Sequence, residues 1–156
     1  GWATEKNIPT AVDPKKDNFF TYSGCSLFKP NLKELKEGLR IEFERNDFDS
    51  LKNAMRQLQD KLNCKTAMVT LSELGVMVYD KSDFKHEDAH PREINDVSGA
   101  GDTVISVAAL SLAAGVSAED YSRLANLAGG LVCEKVGVVP IDKNRLQEEA
   151  IKYLGE

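Results

Sequence analysis

Short apolar runs that stop at a proline or a glycine, each followed by a stretch with helical spacing, constrain this chain most. Ile8 to Val12 stops at Asp13-Pro14, and Ser26-Leu27-Phe28 stops at Lys29-Pro30. Ala67 to Leu71 and Val76 to Tyr79 stand on either side of Gly75. Runs this short, closed by turn residues, read as buried strands. Among them Leu32, Leu35 and Leu39 recur at helical spacing. Asp47 stands as N-cap ahead of Phe48, Leu51, Met55, Leu58 and Leu62, and that helix ends near Asn63. Lys81-Ser82-Asp83 is a turn into an extended segment from Phe84 towards Ala89. After Pro91 three helices follow. The first is apolar and reaches Ala114, with Gly115 as its stop; Ser117 caps the second, which runs to about Lys135. Asp142 opens the third, with Leu146, Ala150 and Ile151 on one face.

Strands alternating with helices predict an α/β layered sheet, and two strands in direct succession add a small antiparallel part. No internal repeat or linker-like stretch divides the 156 residues, which fit one domain. Only seven residues precede the first buried-type strand, which needs partner strands that the chain supplies sparingly. A fragment of a larger domain is therefore expected.

Charge and composition narrow the function. The formal charge is −5, and lysines alternate with acids in stretches such as KPNLKELKEG. Binding to a phosphate backbone needs a clustered basic excess, so no nucleic-acid partner is expected. The richest apolar run, Val104 to Ala114, is too short to span a bilayer, and no membrane insertion is expected. No charged-then-apolar leader opens the chain, which argues against secretion. Cys25, Cys64 and Cys133 are odd in number and widely spaced, which fits a reduced, cytosolic setting.

The chemistry lies in Asp96-Val97-Ser98-Gly99-Ala100-Gly101-Asp102-Thr103, which joins an extended stretch to the apolar helix. Small residues let backbone N–H groups converge, and the helix N-terminus adds its positive dipole end, so the segment reads as an anion site. It is not a Walker A loop, for no Gly-Lys-Ser/Thr follows, and it lacks the third glycine of G-x-G-x-x-G. Asp102 at its mouth would repel a bound phosphate, unless it collects the proton of a hydroxyl attacking that phosphate. Taken alone, Asp102 also reads as an ordinary acid of a first helical turn. Asn31 and Glu34 share a helical face after the second strand, where an amide and a carboxylate suit the waters around magnesium. Equally, they read as a helix cap with an acidic first turn. Thr70 to Gly75 leaves the third strand through a small-polar turn. All these features sit at successive strand ends, where α/β proteins place ligands.

Together D-V-S-G-A-G-D-T-V and N-L-K-E resemble the second signature and the N-x-x-E motif of ribokinase-like (PfkB-type) sugar kinases, over nearly the whole chain. Within that family A-V-D-P-K-K, K-P-N-L-K-E and D-V-S-G-A-G-D-T-V are most similar to D-glycero-β-D-manno-heptose 7-phosphate kinase domains. Those domains serve bacterial lipopolysaccharide core synthesis and are often fused to an adenylyltransferase, of which no segment is present. The resemblance implies a ribokinase-like three-layer αβα sandwich. It makes residues 1–156 a single fragment, the C-terminal nucleotide-binding half of the domain, without the sugar-binding and lid half. The implied activity is transfer of the γ-phosphate of ATP to a sugar hydroxyl, O1 of the heptose 7-phosphate, in the bacterial cytoplasm. Another carbohydrate kinase of this type, or a non-catalytic nucleotide-binding fragment, is the alternative. ATP and a sugar phosphate are the implied partners, with Mg2+, a K+ ion in some members, and a homodimer of the full-length protein. Asp102 would be the catalytic base and Gly99, Ala100 and Gly101 the anion hole. Asn31, Leu32, Lys33 and Glu34 would serve ATP, with Glu34 reaching Mg2+ through water. Thr70, Ser72 and Gly75 would line the nucleotide groove, beside Asn126 at the adenine. Asp96 matches a monovalent-cation position. Ser72 stands where many sugar kinases have glycine.

His86-Glu87-Asp88-Ala89-His90 spells H-E-x-x-H, a zinc-protease pattern that needs a helix. An extended chain would hold the two imidazoles ~13 Å apart, too far to share an ion. Two surface histidines on an edge strand are expected instead. Trp2 reads as a tail residue, and Lys15 as a solvated lysine within reach of a phosphate.

Overall fold

A computed structural model describes residues 1–155, apart from the side chain of Lys16. Its five strands are β1 (Ala11–Val12), β2 (Leu27–Phe28), β3 (Thr66–Thr70), β4 (Val76–Tyr79) and β5 (Phe84–Glu87). They lie in that order across one sheet. β1, β2 and β3 run parallel, with Val12 level with Phe28 and Phe28 with Ala67. β4 and β5 then turn antiparallel, as two successive strands without a helix require. The helices are α1 (Trp2–Glu5), α2 (Leu32–Leu39), α3 (Phe48–Leu62), α4 (Ala100–Ala113), α5 (Ala118–Cys133) and α6 (Lys143–Leu154).

Strand side chains alternate between the two faces, and here both faces are covered. Phe28, Ala67, Val69 and Met77 join Leu35, Leu51, Met55 and Leu58 of α2 and α3 in one core. Leu27, Met68, Val76 and Val78 join Val104, Ala108, Tyr121 and Ala125 of α4 and α5 in the other. The result is the expected αβα arrangement, with strands too apolar to leave either face in water. α4 is apolar around most of its circumference, and its Leu110 is left 75% exposed.

Caps set the helix limits where the sequence placed them. Asp47 accepts from the Ser50 N–H (3.0 Å), Ser117 from that of Asp120 (3.2 Å) and Asp142 from that of Arg145 (2.8 Å). α3 closes on Asn63 in the left-handed region. Several boundaries differ from expectation: β3 lies one residue earlier than Ala67–Leu71, and α5 stops at Cys133, short of Lys135. β1 is shorter than Ile8–Val12, because Thr10 and Ser26 bond through their side chains where a ladder would begin. β5 stops at Glu87 because the Asp88 carbonyl accepts from the Asn126 side chain (3.0 Å). Trp2 starts the short α1 and is not a tail residue.

Gly75 joins β3 to β4 with φ +83°, and a methyl there would collide with the Glu87 carbonyl oxygen. Gly75→Ala is therefore expected to cost about 2–3 kcal/mol of stability through positive φ and backbone displacement. An unchanged midpoint in a urea titration would contradict the close approach of β5.

Candidate functional site

The three parallel strands deliver their C-terminal ends to one edge of the sheet. Asp13 follows β1, Lys29 follows β2, and Asn31 forms a bridge with Thr70 at the end of β3. Opposite them stands the N-terminus of α4. Between lies a cleft of about 840 Å³. Its lining includes Asn31, Glu34, Thr70, Ser72, Gly75, Gly99, Ala100, Gly101, Asp102 and Asn126. Residues spread from 31 to 126 in the chain thus meet around one space.

The loop before α4 is shaped by Asp96. Its carboxylate accepts from the N–H of Ser98 and from that of Gly137, each at 2.8 Å. These bonds, with that of the Ser98 hydroxyl leading, hold the Asp96 carboxyl below the usual carboxylate range. Gly99 then takes φ +77° as N-cap of α4, a conformation that suits glycine. The first N–H groups of a helix lack intrahelical partners. Ala100 turns its N–H back to the Val97 carbonyl (3.3 Å), which leaves those of Gly101 and Asp102 as the open donors of the first turn. Asp102 is exposed on the cleft wall.

Asn31 and Glu34 form a reciprocal cap at the start of α2. Asn31 Oδ1 accepts from the Glu34 N–H, and Glu34 Oε2 accepts from the Asn31 N–H, both at 2.8 Å. The cap fixes both side chains at the cleft rim. Ser72 has φ +55°, the left-handed region, which is the physical reason glycine suits this position. Leu32, Lys33 and Asp96 are not among the residues lining the cleft. Lys33 points to solvent beside Glu37 (3.9 Å), and Asp96 acts through the loop it ties. His86 lies in β5 and bonds the Leu74 carbonyl (2.7 Å), and the His90 ring packs at a tilt against Tyr153. Among the described residues no three His, Cys, Asp or Glu side chains form a metal-ligating cluster.

Two charged features escaped the sequence reading. The first is Lys29, 3% exposed, whose ammonium lies 3.2 Å from Asp13 and directly under Gly101. A methyl on Gly101 would sit 3.8 Å from that ammonium. A signal did exist: Ala11-Val12-Asp13-Pro14 and Leu27-Phe28-Lys29-Pro30 share one pattern with opposite charges, and the β1–β2 register sets them side by side. Lys15, by contrast, is 77% exposed at 3.9 Å from Asp13. The second feature is Arg92, in the segment leading to the anion loop. Its guanidinium bridges Glu134 (2.8 Å) and Glu149 (3.3 Å), and Arg145 also pairs with Glu134. The Cys133 carbonyl at the end of α5 accepts from the N–H groups of Asn95 (2.9 Å) and Asp96 (3.1 Å). The loop before α4 is thereby anchored to α5 and α6.

The sequence matches the pfkB family carbohydrate kinase pattern over residues 4–144. It is 40% identical over 94% of its length to the bifunctional protein HldE of Methylobacillus flagellatus, and 39% identical over 90% to that of Campylobacter jejuni subsp. doylei. In each case the chain spans 30% of the relative's length. Phosphofructokinase-2 from Escherichia coli in complex with potassium shares the fold at a TM-score of 0.88, with 23% identity, over 99% of this chain and 50% of its own. Ribokinase from Arabidopsis thaliana, complexed with ribose and ATP, does so at 0.80, with 19% identity, over 96% of this chain and 49% of its own.

Proposed function

Since this chain belongs to the pfkB family of carbohydrate kinases, we propose that it forms the ATP-binding and proton-accepting half of a sugar kinase. The observation that carries the proposal is the meeting of Asp102, the open first-turn amides of α4 and the buried Lys29 in one cleft. In the reaction a sugar hydroxyl oxygen attacks the γ-phosphorus of ATP, the bond to the β-phosphate oxygen breaks, and ADP leaves. Asp102 takes the hydroxyl proton. Charge on the transferring oxygens falls on the open amides of Gly101 and Asp102 and on Lys29. Magnesium is proposed at the rim beside Glu34, which would reach it through water, with the phosphates and further waters completing its shell. Bound there, it would neutralise the β- and γ-phosphates. Asp96 is the residue proposed for a potassium ion, which would share a carboxylate already accepting two N–H groups.

The acceptor proposed is O1 of D-glycero-β-D-manno-heptose 7-phosphate, in formation of the ADP-heptose precursor of lipopolysaccharide core. Support comes from the motif resemblance and from the HldE relatives at 36–41% identity. The remaining sugar-binding and lid residues are assigned to the rest of the parent protein, which acts in the bacterial cytoplasm and pairs as a homodimer. No helix among the described residues is long and apolar enough to cross a membrane. A coupled ADP-release assay across a panel of sugar phosphates tests the reading. The parent is expected to turn over the heptose 7-phosphate, and these 156 residues alone to do so poorly, because orienting the attacking hydroxyl supplies much of the rate. Turnover of an unphosphorylated pentose only would overturn the heptose assignment.

A further inference from the structure

Cys25 and Cys64 come level with each other just ahead of β2 and β3. The parallel register pairs Leu27 with Thr66, and two residues earlier it brings Cys25 beside Cys64. Backbone bonds hold that alignment. The N–H groups of Lys65 and Thr66 donate to the carbonyls of Cys25 and Ser26, both at 3.0 Å, and that of Gly24 donates to Leu62 (2.8 Å). Neighbouring strands run ~4.8 Å apart, inside the Cα separation of roughly 4.4–6.8 Å that a disulfide spans. Both side chains enter the same core, on the side of α2 and α3. The neighbouring Cys64 side chain holds the Cys25 thiol below the ordinary range, while Cys25 and burial together push Cys64 above it. Cys25 lies 5% exposed directly beneath the exposed turn at Ser23 and Gly24, whereas Cys64 is fully buried. A small oxidant therefore meets Cys25 first. Cys133 is elsewhere, at the end of α5 on the cleft wall.

We propose that Cys25 and Cys64 form a peroxide-responsive pair that closes to an intramolecular disulfide. The Cys25 sulfur attacks one peroxide oxygen, the O–O bond breaks, and the Cys25 proton leaves with the departing hydroxide as water. Cys64 sulfur then attacks the Cys25 sulfenic sulfur, the S–O bond breaks, and the second proton leaves as a second water. Two thiols are oxidised and one peroxide is reduced to two waters; a dithiol reductant reverses the bond by exchange. The link joins strand ends on the far side from Lys29, Asn31 and Thr70, so it leaves the cleft open. It also closes the segment carrying α2 and α3, which restricts the unfolded chain and raises the melting temperature.

The test treats this chain with hydrogen peroxide, then alkylates it in denaturant and maps the peptides by mass spectrometry. Expected are one alkylated cysteine, Cys133, a mass lower by two hydrogens before alkylation, and a reductant-sensitive link between the Cys25 and Cys64 peptides. The melting temperature of the treated chain should rise by several degrees. Cys133→Ser should form the same link, and Cys25→Ala should form none. Three alkylated cysteines after treatment, a link through Cys133 or to a second copy, or no link in Cys133→Ser would overturn the proposal. Every readout is independent of kinase activity.

Discussion

Replacing Asp102 by asparagine in the parent enzyme is expected to lower turnover by ~10²-fold or more, the scale of losing a general base. Asparagine keeps the size of the side chain and suits a helix start, so the fold should hold. It also removes a negative charge from the wall of the cleft, where Asp102 stands exposed beside the open amides of α4. ATP affinity should therefore stay level or improve slightly. In a loose phosphoryl-transfer transition state the proton leaves late, so a carboxylate suffices as acceptor. Steady-state turnover and ATP affinity measured on the same preparation separate the two roles of this residue. Activity retained with a lowered melting temperature would make Asp102 a helix-start residue and nothing more.

Removing Asp13 is expected to have the largest effect on stability. Lys29 is 3% exposed, and Asp13 lies 3.2 Å from its ammonium. Deleting one partner of a buried pair leaves the other charge without compensation, at a cost of about 3–5 kcal/mol. Asp13 itself is one-fifth exposed, which favours the lower end of that range. Asp13→Ala should thus lower the urea midpoint strongly. Asp13→Ala combined with Lys29→Met, which removes both charges, should recover most of the loss. Equal destabilisation in the single and double variants would show that packing, and not the pair, holds this part of the cleft.

Lys29 also marks where sequence reading reached its limit. Its apolar run and Pro30 identified a strand end, and β2 lies there. The lysine itself looked like one more solvated charge in an alternating stretch. Only the β1–β2 register, joining segments 16 residues apart, sets it against Asp13. Arg92 was illegible for the same reason, since its partners Glu134 and Glu149 lie 42 and 57 residues away. Local signals fared better. Asp47, Ser117 and Asp142 cap as their spacing predicts, because a cap depends on three neighbouring residues alone. The antiparallel β3–β4 pair was legible because Gly75 permits a tight return, with only the single 3-10 turn Ser72–Leu74 between the strands. β1 was read three residues too long, because Ile8 to Thr10 are apolar or β-branched enough for a strand, yet Thr10 spends its side chain on Ser26. In the site, resemblance supplied the roles, while the geometry added which amides of the loop remain open. Ala100 is engaged with Val97, a detail no spacing rule contains.

The central claim is that triphosphate sits at the N-terminus of α4, and amide NMR of this chain during titration with Mg-ATP tests it most directly. The N–H resonances of Gly99, Gly101 and Asp102 should move with Mg-ATP and stay in place with adenosine, since the open donors face phosphate charge and not the base. Resonances of this loop unmoved at saturating Mg-ATP, with shifts confined to other segments, would contradict the account.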